Sequence, residues 1–184
     1  PYRIYGGLRF YERLEIKNAI SYLRIIFNNN DNPSFERSIS NPTRGVGEKT
    51  LAKIRNAAKQ YNISYIKASA KLIDEGKISG RGGSGLKDYL EFIAGCKGFI
   101  EENSLSDLME LIIKETGLYA YHAKEAGEKG KTRTENLEEL ITATKNFEQS
   151  IKDERTNIEI AESYLDIISL DSGDRQASEH DDAA

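Results

Sequence analysis

Cysteine and histidine are scarce in this sequence, and their scarcity excludes several kinds of site. With one cysteine, Cys96, in 184 residues, the chain can form no internal disulfide, and this usage fits a reducing compartment. The two histidines, His122 and His180, are far apart, so no pair of imidazoles or cysteines has the spacing of metal ligands. We therefore predict no metal site and a cytoplasmic location.

Long apolar runs are absent as well, and the charge is unevenly distributed. No segment approaches the roughly 20 apolar residues that a membrane-spanning helix needs, so no membrane contact is expected. The formal net charge of the chain is −4, yet residues 35–60 contain six basic and two acidic residues, a net charge of +4. A positive segment in an acidic chain indicates an anionic partner for that segment.

Apolar residues recur at helical spacing through most of the chain. Every periodic segment longer than six residues fits a helix, so the predicted fold is all-α, with about eight helices packed irregularly. At 20.7 kDa the chain is large enough for one domain with a buried core. The main helices are predicted over residues 11–27, 33–39, 48–61, 64–76, 86–102, 104–116, 133–147 and 157–170.

The two ends differ from this helical body. Residues 2–5 resemble a strand that ends at Gly6 and Gly7, as in a piece cut from a larger protein. Residues 171–184 have five acidic residues against one arginine and almost nothing apolar, so they are predicted to be disordered. We therefore divide the chain into an exit strand or linker (1–10), a helical body (11–170) and an acidic tail (171–184).

A glycine hairpin between the second and third predicted helices is the most informative stretch. Gly45 and Gly47 flank Val46 directly before a helix, where glycine allows close approach of a ligand and the first backbone N–H groups have no intrahelical partner. Such a geometry suits an anion, and the stretch resembles a helix-hairpin-helix, a motif that binds the phosphate backbone of nucleic acid. An ordinary helix–turn–helix corner fits this motif equally well.

Two other glycine-rich stretches are weaker candidates for phosphate binding. Residues 79–85 lack the preceding strand of a dinucleotide-binding motif, so we predict a loop or a frayed helix end. Residues 130–132 spell Gly-Lys-Thr, but a P-loop needs glycine where the chain has Glu125. We predict a basic loop at 127–132 leading to a helix capped by Thr132, with either a phosphate or only solvent at that end. His122 is expected to be a surface or half-buried helix residue.

Four stretches, in this order and at these separations, resemble the UvrD/PcrA/Rep-type superfamily 1 DNA helicases. The resemblance covers about residues 1–170, although no matching motif appears past about residue 150. The four stretches are GGLRFYERLEIK at 6–17, NPTRGVG at 41–47, GEKG at 127–130 and RTENLEEL at 133–140.

The resemblance implies that the chain is a fragment of a larger multidomain helicase, namely its all-helical accessory subdomain 2B. The parent enzyme would be an ATP-dependent 3′–5′ DNA helicase of the bacterial cytoplasm and nucleoid, acting in excision and mismatch repair with ATP and Mg²⁺. The fragment has no ATPase motif, so we predict no catalytic residue, no cofactor and no activity of its own. Its expected partners are double-stranded DNA at a junction with single-stranded DNA, the motor domains of the same polypeptide, and repair proteins.

The resemblance also implies roles for particular residues. A motor-domain junction would contain Gly6, Gly7, Phe10, Arg13, Glu15 and Lys17. Duplex DNA would be bound by Thr43, Arg44, Gly45, Val46, Gly47, Lys49 and Thr50, and in a second region by Lys129, Gly130, Lys131, Thr132 and Arg133. The helix with Asn136 and Glu139 would pack within the subdomain. The alternative from another class is a helical protein-interaction module of a repair complex that makes no direct DNA contact.

Overall fold

The computed structural model describes residues 9–181 of the chain, and residues 171–181 by their backbone alone. Within this part a 3₁₀ turn (Phe10–Glu12) precedes nine α-helices, and no strand occurs. The all-α prediction is confirmed, with nine helices in place of about eight, whereas the expected exit strand with Gly6 and Gly7 lies outside the described residues. The helices are α1 Leu14–Phe27, α2 Asn32–Ser40, α3 Glu48–Tyr61, α4 Tyr65–Asp74, α5 Gly80–Glu102, α6 Leu105–Glu115, α7 Leu118–Ala123, α8 Glu128–Ser150 and α9 Asn157–Asp181.

Side-chain caps start three helices within one residue of their predicted starts. The carboxylate of Asp31 accepts a hydrogen bond from the backbone N–H of Ser34 at the start of α2. The hydroxyl of Ser64 accepts one from the N–H of Lys67 at the start of α4. Ser104 and Asp107 form a reciprocal capping box at α6. Each cap satisfies a backbone donor that the helix itself leaves unpaired.

Helix α1 lies at the centre of the molecule, in contact with α2, α5, α6, α8 and α9. Ten of its fourteen residues are buried, including Ile16, Tyr22 and Leu23. Full burial of each large apolar side chain contributes about 1.5–3 kcal/mol. The core therefore forms around α1, and the hairpin between α2 and α3 is attached to it.

Residues 79–85, predicted as a loop or a frayed helix end, form the N-terminal end of α5, which begins at Gly80. The glycines of this turn allow tight packing against the hairpin. A Cβ atom on Gly85 would lie 2.1 Å from the carbonyl oxygen of Arg44, and one on Gly82 would lie 2.9 Å from that of Gly45. Real Cβ atoms do not come this close to backbone, so glycine is needed here for space.

The predicted loop at 127–132 is wrong, because α8 begins at Glu128 after Gly127, whose φ is 72°. Thr132 therefore lies inside the helix and forms no cap. Gly130 is buried, and a Cβ atom there would lie 2.3 Å from the carbonyl oxygen of Glu125. Close packing again accounts for a glycine that the sequence suggested was flexible.

The backbone of α9 continues to Asp181, into the acidic tail. No proline interrupts this segment, and extending an existing helix adds one hydrogen bond for each residue fixed. The disorder expected for the tail stays a prediction. One further expectation needs correction: His122, expected as a surface or half-buried helix residue, is buried with 1% of its side chain exposed.

Candidate nucleic-acid interface

The hairpin joins the end of α2 to the start of α3. Gly45 has φ of +74°, a left-handed conformation that favours glycine, whereas Gly47 is extended, with φ of −95° and ψ of −176°. A Cβ atom on Gly47 would meet nothing within 4 Å. The backbone conformation at Gly45 thus favours glycine, whereas nothing in the fold prevents a side chain at Gly47.

Arg44 connects the hairpin to the core. Its guanidinium donates hydrogen bonds to the carbonyl oxygens of Ser38 (2.9 Å) and Pro42 (3.0 Å) and to the hydroxyl of Tyr22 (2.5 Å). It also lies against the rings of Tyr22 and Tyr89, 5.4 and 5.5 Å from their centroids. Arg44 therefore satisfies carbonyls at the end of α2 and fixes the hairpin from inside.

The tyrosines around Arg44 are shielded from solvent. Burial raises the pKa of Tyr22 to about 12, although the neighbouring Arg44 charge opposes that rise. Burial likewise raises the pKa of Tyr89, whose hydroxyl is 2.6 Å from that of Ser38. No local pattern in the sequence indicates that these two tyrosines support the hairpin, because residues 22 and 89 meet residue 44 only in the folded chain.

The outer face of the hairpin presents backbone donors. Within the described part of the chain, no hydrogen bond uses the N–H groups of residues 46–50, and Gly47 provides no side-chain cap. Thr43, Gly45, Gly47 and Lys49 are exposed, Thr50 is half-buried, and Val46 is buried. Unpaired N–H groups at the positive end of a helix attract anions.

A carboxylate near these donors is already paired with an arginine. Glu48 is the one acidic residue between positions 37 and 73 of the sequence. Its side chain accepts a hydrogen bond of 2.6 Å from Arg55, which also binds Glu36 at 2.5 Å. Hydrogen bonds to these carboxylates raise the pKa of Arg55. The hairpin therefore keeps its positive character.

The second predicted DNA-binding region, at the start of α8, has less unpaired positive charge than the hairpin. Lys129, Lys131 and Thr132 are exposed and Gly130 is buried. Arg133, however, donates to both carboxylate oxygens of Glu125, at 2.7 and 2.9 Å. Hydrogen bonds from His122 and Arg133 lower the pKa of Glu125.

The junction residues and the start of α8 belong to one polar network. Arg13 donates to the side-chain oxygen of Asn136 (2.6 Å), and Asn136 donates to the carboxylate of the buried Glu15 (2.7 Å). Arg133 lies 3.7 Å from the same carboxylate. Of the other predicted junction residues that are described, Phe10 is buried and Lys17 is exposed. The first and last of the four sequence motifs therefore meet in space.

His122 lies at the edge of this network. Its Nδ1 atom is 2.5 Å from Glu125, and its buried Nε2 atom has no hydrogen-bond partner among the described residues. No local pattern in the sequence signals this arrangement, because His122 and Arg133 lie on different helices and share only Glu125.

Comparison with known proteins gives the family. Residues 1–79 match the model of the UvrD-like helicase C-terminal domain. DNA helicase II of Escherichia coli is 40% identical over 183 residues, which cover 100% of this chain and 25% of that protein. The chain belongs to the UvrD-like helicase family. DNA helicase II of Haemophilus influenzae is 41% identical over 98% of the chain, and the ATP-dependent DNA helicase PcrA of Bacillus subtilis is 33% identical over 83%.

The similarity to UvrD-like helicases extends further than the four motifs. The alignment with the Escherichia coli protein covers 100% of the chain, beyond the residues 1–170 over which the sequence resemblance was recognised. The chain spans about a quarter of the length of the curated relatives it matches.

The described part of this UvrD-like chain does not provide a nucleotide site of the P-loop type. Gly130, Lys131 and Thr132 lie in the first turns of α8, and the backbone of Gly130 packs against that of Glu125. Among the described residues, no group of three or more His, Cys, Asp or Glu side chains could hold a metal ion. No helix there is long and apolar enough to cross a membrane.

Proposed function

We propose that this chain is the duplex-DNA-binding accessory subdomain, the 2B region, of an ATP-dependent DNA helicase. The names DNA helicase II and ATP-dependent DNA helicase PcrA among its relatives support this proposal. The parent enzyme would unwind DNA in the 3′–5′ direction with ATP and Mg²⁺, in excision and mismatch repair in the bacterial cytoplasm. This chain would bind double-stranded DNA at a junction with single-stranded DNA and contact the motor domains and repair proteins.

One observation carries the proposal: the unpaired N–H groups of residues 46–50 in an exposed, positively charged hairpin. Backbone donors bind phosphate without reading bases, so binding would have little sequence preference. In this proposal the hairpin acts as a helix-hairpin-helix, and Arg44 and the α5 glycines give it a fixed shape. Lys49 and Thr50 would add side-chain contacts.

The alternative is a protein-interaction module that makes no DNA contact. Such a module would bind through exposed apolar surface. In the described part of the chain the large exposed apolar side chains lie on four different helices, at Leu14, Tyr61, Tyr121 and Leu170. This arrangement favours the DNA-binding proposal.

The test replaces Gly47 by aspartate. An N-cap aspartate accepts a hydrogen bond from the start of the helix and favours it by a few tenths to about 1 kcal/mol. The same carboxylate would occupy the donors and repel phosphate. We therefore expect Gly47→Asp to bind a labelled duplex with a 3′ single-stranded tail at least tenfold more weakly, in fluorescence anisotropy, without a loss of melting temperature.

The control is Gly98→Asp on α5. Gly98 is exposed, a Cβ atom there would meet nothing within 4 Å, and the charge change is identical. It should bind DNA like the wild type. Equal binding by Gly47→Asp and Gly98→Asp would show that the hairpin is only a structural corner.

A further inference from the structure

The exposed side of α3 continues the positive surface beyond the hairpin. Lys49, Lys53, Asn56 and Gln60 recur at intervals of three or four residues, so they share one face of the helix. All four are exposed. At 1.5 Å per residue this stripe is about 17 Å long, comparable to about five base pairs of duplex.

The stripe borders a groove between α3 and α4, of about 350 Å³. Lys53 and Lys77 lie on its walls with Asn56, Gln60 and Tyr61, while Ala57 and Leu72 also line it. The Nζ atom of Lys53 donates to the carbonyl oxygen of Lys77 at 3.1 Å. An ammonium group has three donors, so Lys53 keeps two for another acceptor.

Acidic residues cancel only part of the charge of this region. Residues 43–81 contain nine basic and three acidic residues, a net charge of +6 in a chain of net charge −4. Glu75 lies 2.7 Å from both Lys71 and Lys77, so this group of one carboxylate and two lysines keeps a net charge of +1. The groove itself has two lysines and no carboxylate in its lining.

We propose that the duplex bound at the hairpin continues along α3, and that its phosphates contact Lys53 and Lys77 in the groove between α3 and α4. This inference rests on the proposed function, because the hairpin donors fix where the duplex begins. Lysine ammonium groups contact phosphate as point charges, and the amides of Asn56 and Gln60 add further donors. The groove is thus a second phosphate-binding site, specific for DNA shape and not for sequence.

The test is the salt dependence of binding to a blunt-ended duplex, measured by anisotropy for the wild type and for the double variant Lys53→Gln/Lys77→Gln. Removing one lysine–phosphate interaction lowers the slope of log affinity against log salt by about 0.9. We expect the slope of the double variant to fall by about 1.8. Between about 50 and 200 mM salt, the wild type should then lose about tenfold more affinity than the variant.

The matched control is Lys97→Gln/Lys145→Gln, which removes the same charge from two exposed lysines on α5 and α8. Its slope should equal that of the wild type. An unchanged slope in the groove variant would overturn the inference, and so would a change seen only with a single-stranded oligonucleotide. If the groove variant keeps the wild-type slope while Gly47→Asp still abolishes binding, the proposed function stands and only this inference fails. If the wild type binds no duplex, both fail.

Discussion

Replacing Arg44 tests whether this basic residue of the hairpin stabilises the fold or binds DNA. In Arg44→Lys the charge remains, but the planar group that reaches the oxygens of Ser38, Pro42 and Tyr22 is removed. A lysine can keep about one of these three hydrogen bonds. Removing two bonds from a charged group, at about 1.5 kcal/mol each, destabilises the chain by about 3 kcal/mol. For a chain of this size, that lowers the melting temperature by about 6–12 °C.

The assay combines thermal unfolding with DNA binding measured well below the melting temperature. We expect Arg44→Lys to melt earlier while keeping the wild-type salt slope, because lysine keeps the positive charge but loses the planar hydrogen-bonding group. Arg81→Lys is the matched control, since Arg81 is exposed beside Gly45 and should change stability by no more than about 0.5 kcal/mol. A melting temperature equal to that of the wild type would refute the internal role of Arg44, because the hydrogen bonds that only the guanidinium can make would then contribute nothing to stability.

Two further predictions concern stability. Gly85→Ala places a Cβ atom 2.1 Å from the carbonyl oxygen of Arg44 and should lower the free energy of unfolding by about 1–3 kcal/mol. In the same helix, a Cβ atom at residue 95 would meet nothing within 4 Å, so Gly95→Ala should raise the free energy of unfolding by about 0.5–1 kcal/mol. Equal effects of the two substitutions in chemical denaturation would contradict the packing argument. Because Tyr22 has a pKa of about 12 when folded and 10 in its ordinary state, the unfolded chain binds fewer protons between these values. The contribution of Tyr22 to the free energy of unfolding should therefore be constant below pH ~10 and fall above it by up to about 1.4 kcal/mol per pH unit. Tyr22→Phe should remove this fall from the measured dependence of stability on pH.

Local signals in the sequence predicted most of the helices, although not α7. The caps at Asp31, Ser64 and Ser104 depend on residues three positions apart, so they are visible without the fold. The hairpin was predicted for the same reason, since Gly45 and Gly47 directly precede a periodic helix. These features need only short-range geometry.

The roles of individual residues in the site depend on contacts between distant segments. The sequence shows Arg44 as a basic residue in a basic hairpin, but only the fold places Tyr22 and Tyr89 around it. Glycines at 82 and 85 look like flexible linker residues until the backbone of residues 44 and 45 is brought against them. The spacing of residues along the chain does not predict these close contacts.

The internal fixing of the hairpin has a consequence for how its motion is measured. The N–H groups of residues 46–50 have no partner within the described chain, so their hydrogens should exchange quickly with solvent. Arg44 and the glycines of α5 nevertheless hold the backbone in one position. Fast exchange here would then reflect exposure without mobility. Slower hydrogen exchange of these N–H groups when DNA is added would identify the phosphate contacts directly. Folding of the loop would not be needed to explain it.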